Sequence, residues 1–156
     1  MKTPPTKENT LYLPIKQVYF DQIIAGTKKE EYREVKDTTF KKYLQTWSEN
    51  GDEGFIYDPD KVDEKDLDIM AYNNGVYPFF PVEYEYLNLA VGYSKERDVA
   101  IVEVVDISFE IAKDKNGTEV RFFWDEKDGF RSDTNGDSCM WNIVYHLGEV
   151  AELHRK

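Results

Sequence analysis

The run from Asp98 to Ile111 constrains the fold most. Val99, Ile101, Glu103, Val105, Ile107 and Phe109 share one parity, and period-two patterning over such a length marks a β-strand. A strand this long leaves a row of backbone donors and acceptors that must be paired, so the chain is committed to a substantial sheet. Partner strands are predicted at Leu11–Ile15, with apolar residues at 11, 13 and 15, and at Lys29–Val35. Others are Ile69–Tyr72, ending in the turn Asn73-Asn74-Gly75, and Glu119–Trp124, returning across Asn116-Gly117. Trp141–Leu147 is the last strand, followed by Gly148 and a short charged tail.

Two helices interrupt this pattern. Gln17–Ala25 places Val18, Phe20, Ile23 and Ile24 on one side and stops at Gly26, which can take the left-handed conformation that ends a helix. Thr38 or Thr39 is expected to cap a second helix running to Trp47, with Phe40, Tyr43, Leu44 and Trp47 as its buried stripe. Residues 1–9 read as a flexible N-terminal arm, 10–156 as a single domain, and 48–68 as an inserted acidic surface loop. The stretch Tyr77–Tyr93 is rich in aromatics and reads as a hydrophobic wall. Several strands with two early helices give an α+β fold, expected as a partly closed β-barrel with flanking helices.

Length and charge limit what such a domain can do. At 156 residues there is material for one core, and aromatics at 15% supply it. No apolar run is long enough to span a membrane, and Met1-Lys2-Thr3-Pro4-Pro5 leads into polar residues rather than a secretory signal. Cys139 is the sole cysteine, which suits a reducing cytoplasm. Asn116-Gly117-Thr118 therefore reads as a hairpin turn, not a glycosylation site. The net charge of -11 argues against coating RNA or DNA non-specifically, because such binding rests on cations that neutralise phosphates. A short ligand in a local cleft, or a basic protein partner, remains compatible with it.

Most chemical signatures are absent. Asp133-Thr134-Asn135-Gly136-Asp137 imitates the start of a calcium loop, but Ser138 stands where Gly is needed and Val144 where a bidentate Glu is needed. His146 and His154 with one cysteine make no zinc set, and His146 reads as a core or rim residue. No Gly-rich phosphate loop or nucleophile elbow occurs, so no metal and no cofactor is implied.

One segment does carry chemistry. Side chains alternate along a strand, so Glu31 and Arg33 share a face while Tyr32 is expected to point the other way, into the barrel. Lys28, in the turn after Gly26, can swing over the face of Glu31 and Arg33. Two cations and a carboxylate at a helix-to-strand junction can hold a phosphate or a polar base edge, and a desolvated Lys can act as a base or nucleophile. An ordinary exposed ion pair is the plain alternative.

The segment Tyr19-Phe20-Asp21-Gln22-Ile23-Ile24-Ala25-Gly26-Thr27-Lys28-Lys29-Glu30-Glu31-Tyr32-Arg33 resembles the signature of ASCH domains, members of the PUA-like superfamily. Their pattern is a helix ending in Gly, then x-Lys-x-x-Glu-x-Arg, matched by Gly26, Lys28, Glu31 and Arg33. Weaker similarity extends to 68–75, 100–104 and 145–148. The resemblance implies a PUA-like β-barrel, a cleft beside the signature, and binding of RNA or a nucleotide or nucleoside. On that reading the ligand is held by Gly26, Lys28, Glu31 and Arg33, with Asn73, Asn74, Tyr77, Phe79, Phe80 and Tyr84 as neighbours that hydrogen-bond or stack. Some small relatives of similar fold are amidohydrolases of acylated cytidine using Lys, Thr and Glu. Their Lys corresponds to Lys28, their Thr position is Glu31 here, and Glu103 is the candidate for their Glu. A small amidohydrolase or nuclease using Lys28 and Glu31, and an acidic protein-interaction module, are therefore the rival expectations.

Overall fold

The computed structural model describes residues 3–67, 77–125, 127, 129–132, 136 and 138–156. In chain order its elements are β1 (Thr10–Ile15), α1 (Gln17–Ile24), β2 (Glu30–Val35), α2 (Phe40–Tyr43), β3 (Thr46–Glu49) and β4 (Asp52–Phe55). After a single 3-10 turn (Glu64–Asp66) come β5 (Tyr86–Val91), β6 (Val99–Ile111), β7 (Arg121–Asp125), β8 (Gly129–Ser132), β9 (Ser138–Cys139) and β10 (Trp141–His154). The fold is α+β, mostly sheet with two short helices. The strands form a five-stranded sheet of order β1-β5-β6-β10-β2, a β3-β4 pair and a three-stranded β8-β7-β9 sheet. The chain divides into two compact units, residues 1–31, 83–108 and 144–156, and residues 32–82 and 109–143. Among the described residues no helix is long and apolar enough to cross a membrane.

In the first unit, alternation builds the core. β1 runs parallel to β5 with Leu11 opposite Leu87 and Leu13 opposite Leu89. β5 is antiparallel to β6, with Leu87 opposite Val102 and Leu89 opposite Ala100. All six side chains are buried, each large one contributing about 1.5–3 kcal/mol by leaving water. α1 packs against β5 and buries Phe20 and Ile23, whereas Val18 is exposed. The parity of β6 that enters this core is Ala100 and Val102, not the more conspicuous odd-numbered set: Val105 lies 60% exposed. Residues 3–9 are tied down as well. Thr6 and Asn9 exchange backbone-to-side-chain hydrogen bonds of 2.7 and 3.2 Å, and the Tyr86 hydroxyl donates to the Thr3 carbonyl at 2.6 Å.

The second unit is held by aromatics around the fully buried Trp141. Phe79 stacks on its indole at 5.7 Å and 9°, and Phe109 meets it edge-on at 5.0 Å. Tyr77 leans against both Phe109 and Trp141 at 5.4 Å, and Phe55 meets Phe79 edge-on at 4.8 Å. Such pairs add to plain area burial because ring edges and faces carry opposite partial charge.

Several sequence expectations are corrected. The second helix does not reach Trp47: α2 stops at Tyr43, and Leu44 is already extended. Strand-like hydrogen bonds win there, from Gln45 N–H to the Phe80 carbonyl and from Val82 N–H to the Tyr43 carbonyl, both 2.8 Å. Trp47 sits in β3, 48% exposed, with its ring across Gly54, the residue opposite it in β4. The segment read as a loop from residue 48 thus contains β4 and the end of β3. Asn50 and Gly51, both at positive φ, form its two-residue turn, the conformation that matches the twist of paired strands. β7 pairs with β8 and β9 rather than adding to the long strand. The last strand does not stop at Leu147 but continues through Gly148 to His154. The predicted strand 69–72 lies outside the described residues.

Candidate functional site

The helix-to-strand junction forms as its sequence requires. Gly26 adopts φ +80°, and the Thr27 and Gly26 N–H groups donate to the Gln22 and Ile23 carbonyls at 3.0 and 3.1 Å. This is the Schellman pattern, which satisfies the last helical carbonyls and needs a residue without Cβ strain at that position. The Lys28 N–H also reaches the Gln22 carbonyl, at 3.1 Å, so the backbone of the turn is fixed and its side chain emerges beside α1. There the Lys28 ammonium lies over the Tyr19 ring, 5.3 Å from its centre. The Lys29 carbonyl accepts from the Leu147 N–H at 2.8 Å, docking the start of β2 onto β10.

Glu31 is buried, at 4% exposure, and Asp98 at 6% is the other buried carboxylate among the described residues. Asp98 is explained by structure. It accepts from the Gln17 side chain at 2.9 Å, the Lys156 backbone N–H at 3.0 Å and the Arg155 guanidinium at 3.2 Å. The Lys156 backbone bond, then the Gln17 bond, holds its carboxyl below the ordinary Asp range. Arg33, on β2 beyond Glu31, is half-buried, its guanidinium donating to the Tyr32 carbonyl at 3.0 Å.

Tyr32 does not point into a barrel interior. It is 38% exposed and lines a groove of about 490 Å³ in the second unit, with Tyr77, Glu110, Ile111, Lys113, Glu119 and Asn142. A hairpin builds one wall: Lys113 bridges Glu119 across a turn in which Asp114 Oδ1 accepts from the Asn116 and Thr118 N–H groups. Gly117 at φ +80° closes that turn, as a three-residue hairpin loop needs. Arg121 fixes Glu119 at 2.9 Å. Two carboxylates against one lysine make the groove a poor seat for phosphate. Its two tyrosines offer flat apolar faces, and Glu110 and Asn142 offer acceptors.

The other expected site residues scatter. Phe79 is committed to the Trp141 stack, whereas Phe80 is 38% exposed. Tyr84 is half-buried, and desolvation pushes its phenol above the ordinary range. Glu103 leans over Gly148: a Cβ there would lie 3.1 Å from its Oε2. Asn73 and Asn74 lie outside the described residues, as does most of the calcium-like run 133–137. Glu110, Lys113, Glu119 and Asn142 escaped the sequence reading, although the Asn116-Gly117 turn signal alone brings Lys113 opposite Glu119. Comparison with protein-family models, with curated proteins and with solved structures finds no match.

Proposed function

We propose that this chain is an ASCH-type domain of PUA-like barrel architecture that binds a nucleoside, or the exposed base of a short RNA element, in the groove lined by Tyr32 and Tyr77. The observation that carries the reading is Tyr32: a residue inside the Gly-x-Lys-x-x-Glu-x-Arg segment turns outward and, with Tyr77, lines a groove of about 490 Å³, the scale of a small-molecule site. Aromatic side chains hold bases by stacking whatever their sequence. The Glu110 carboxylate, which only accepts hydrogen bonds, favours a base with an exocyclic amine, cytosine or adenine, over uracil. The groove's negative balance and the net charge of -11 favour the base over its phosphate. Within the signature, Gly26 shapes the turn that leads into β2, and the Arg33 guanidinium donates to the Tyr32 carbonyl.

Calorimetric titration with cytidine, adenosine and uridine tests this. The expected result is saturable binding of an amine-bearing nucleoside in preference to uridine. Tyr32→Ala should weaken it roughly 5- to 150-fold, the loss of about 1–3 kcal/mol that one stacked base represents, with an unchanged unfolding midpoint. Binding that ignores Tyr32→Ala, or no binding of any nucleoside, overturns the assignment.

A further inference from the structure

A second group of side chains, all in the first unit, has the arrangement of a nucleophile, a base and an orienting acid. Ser108 on β6, His146 on β10 and Glu30 on β2 sit on three strands that are neighbours in the sheet. The Ser108 Oγ lies 2.7 Å from His146 Nε2, and His146 Nδ1 lies 3.5 Å from Glu30 Oε1. Contacts between side chains of adjacent strands require all three to emerge on one face. In the tautomer that carries its proton on Nδ1, the nitrogen facing Glu30, Nε2 has the lone pair and accepts the Ser108 hydroxyl proton. The Ser–His distance is that of a formed hydrogen bond. The His–Glu separation is an electrostatic contact, of the looser kind that tightens when the imidazole gains a proton during reaction. The His146 and Glu30 side chains are 31% and 41% exposed, so a small substrate can reach them from solvent.

We infer that Ser108, His146 and Glu30 form a hydrolytic relay acting on small uncharged or cationic carboxylic esters. Ser108 Oγ bonds to the acyl carbon while its proton passes to His146 Nε2. The ester C–O bond then breaks, and the alcohol leaves with that proton. Water attacks the acyl-serine, giving a proton to Nε2. As the acyl–Oγ bond breaks, that proton returns to Ser108 and the carboxylic acid departs. Glu30 holds the imidazole and balances its transient charge, as the acid does in serine hydrolases. Its carboxylate, in a chain of net charge -11, disfavours anionic esters. The relay is independent of the nucleoside groove, so either assignment can fail alone.

The test uses the full chain and p-nitrophenyl acetate, an activated ester whose leaving group departs with little help, together with peptide mapping after a fluorophosphonate probe. The expected result is a label on Ser108 and hydrolysis that falls at least about 100-fold in Ser108→Ala, the general-base contribution, at unchanged circular dichroism. His146→Ala should lose both signals and regain them with added imidazole, which separates chemistry from folding. An unlabelled Ser108, a Ser108→Ala variant as fast as wild type, or a folded His146→Ala variant that imidazole does not rescue reduces the triad to a cross-strand hydrogen bond and overturns the inference.

Discussion

Glu103 on β6 occupies the space that Gly148 on β10 leaves open: a Cβ at 148 would sit 3.1 Å from Glu103 Oε2, 3.4 Å from its Cβ and 2.7 Å from Val105 Cγ1. The missing side chain lets β10 run past Glu103 and Val105 without displacing either.

Gly148→Val should therefore destabilise the fold by about 1–3 kcal/mol, the usual cost of forcing atoms into occupied space, and Gly148→Ala by less. Adding Val105→Ala to Gly148→Ala should restore most of the loss, because the closest clash is with the Val105 methyl. Urea unfolding of the single and double variants measures this coupling, and additive effects would show that the two side chains do not compete.

Gly26 presents the opposite case. Nothing lies within 4 Å of a Cβ built there, but its φ is +80°. Gly26→Ala should cost about 1–2 kcal/mol, the penalty an L-residue bears in the left-handed region, while Gly26→Asn should cost less. Thermal unfolding of the two variants ranks them; equal stability would mean that the helix end refolds into another cap.

Asp98 should set part of the acid limb of stability. Its folded carboxyl titrates below the ordinary range, first through the Lys156 backbone N–H and then through Gln17. A depressed folded value means stabilisation that is present above the unfolded value of about 3.9 and is lost as pH falls through the folded one. Asp98→Asn should thus be less stable than wild type near neutrality and converge on it in acid. Denaturant midpoints from neutral to strongly acidic pH report this, and a constant difference would remove Asp98 from the linkage.

Nucleoside binding in the Tyr32 and Tyr77 groove should be nearly independent of salt. A ligand anchored by several phosphate contacts loses about 10³–10⁵ in affinity between 50 and 200 mM salt, whereas stacking and amine recognition release no counterions. Calorimetry with cytidine at both salt concentrations distinguishes them; a large loss would place the binding energy on Lys and Arg instead.

Local patterning determined a definite part of this protein. Alternation at Leu11, Leu13 and Ile15 gave β1, the apolar spacing of Phe20 and Ile23 gave α1, and Gly26 marked its end, because each depends on a few consecutive residues and their backbone preferences. The Asn50-Gly51 turn was equally local and was legible in the sequence, but the acidic surroundings of β4 masked it. Tertiary structure decided the rest. Trp47 has the spacing of a helix residue, yet β3 pairs with β4 and takes it, since strand pairing overrides weak helix preference. β10 needs a glycine at 148 only because Glu103 and Val105, far away in sequence, lie across from it. The outward turn of Tyr32 beside Tyr77, and the meeting of Glu30, Ser108 and His146, depend on which strands become neighbours. No local period encodes that choice: it is made by the burial and backbone pairing of segments distant in the chain.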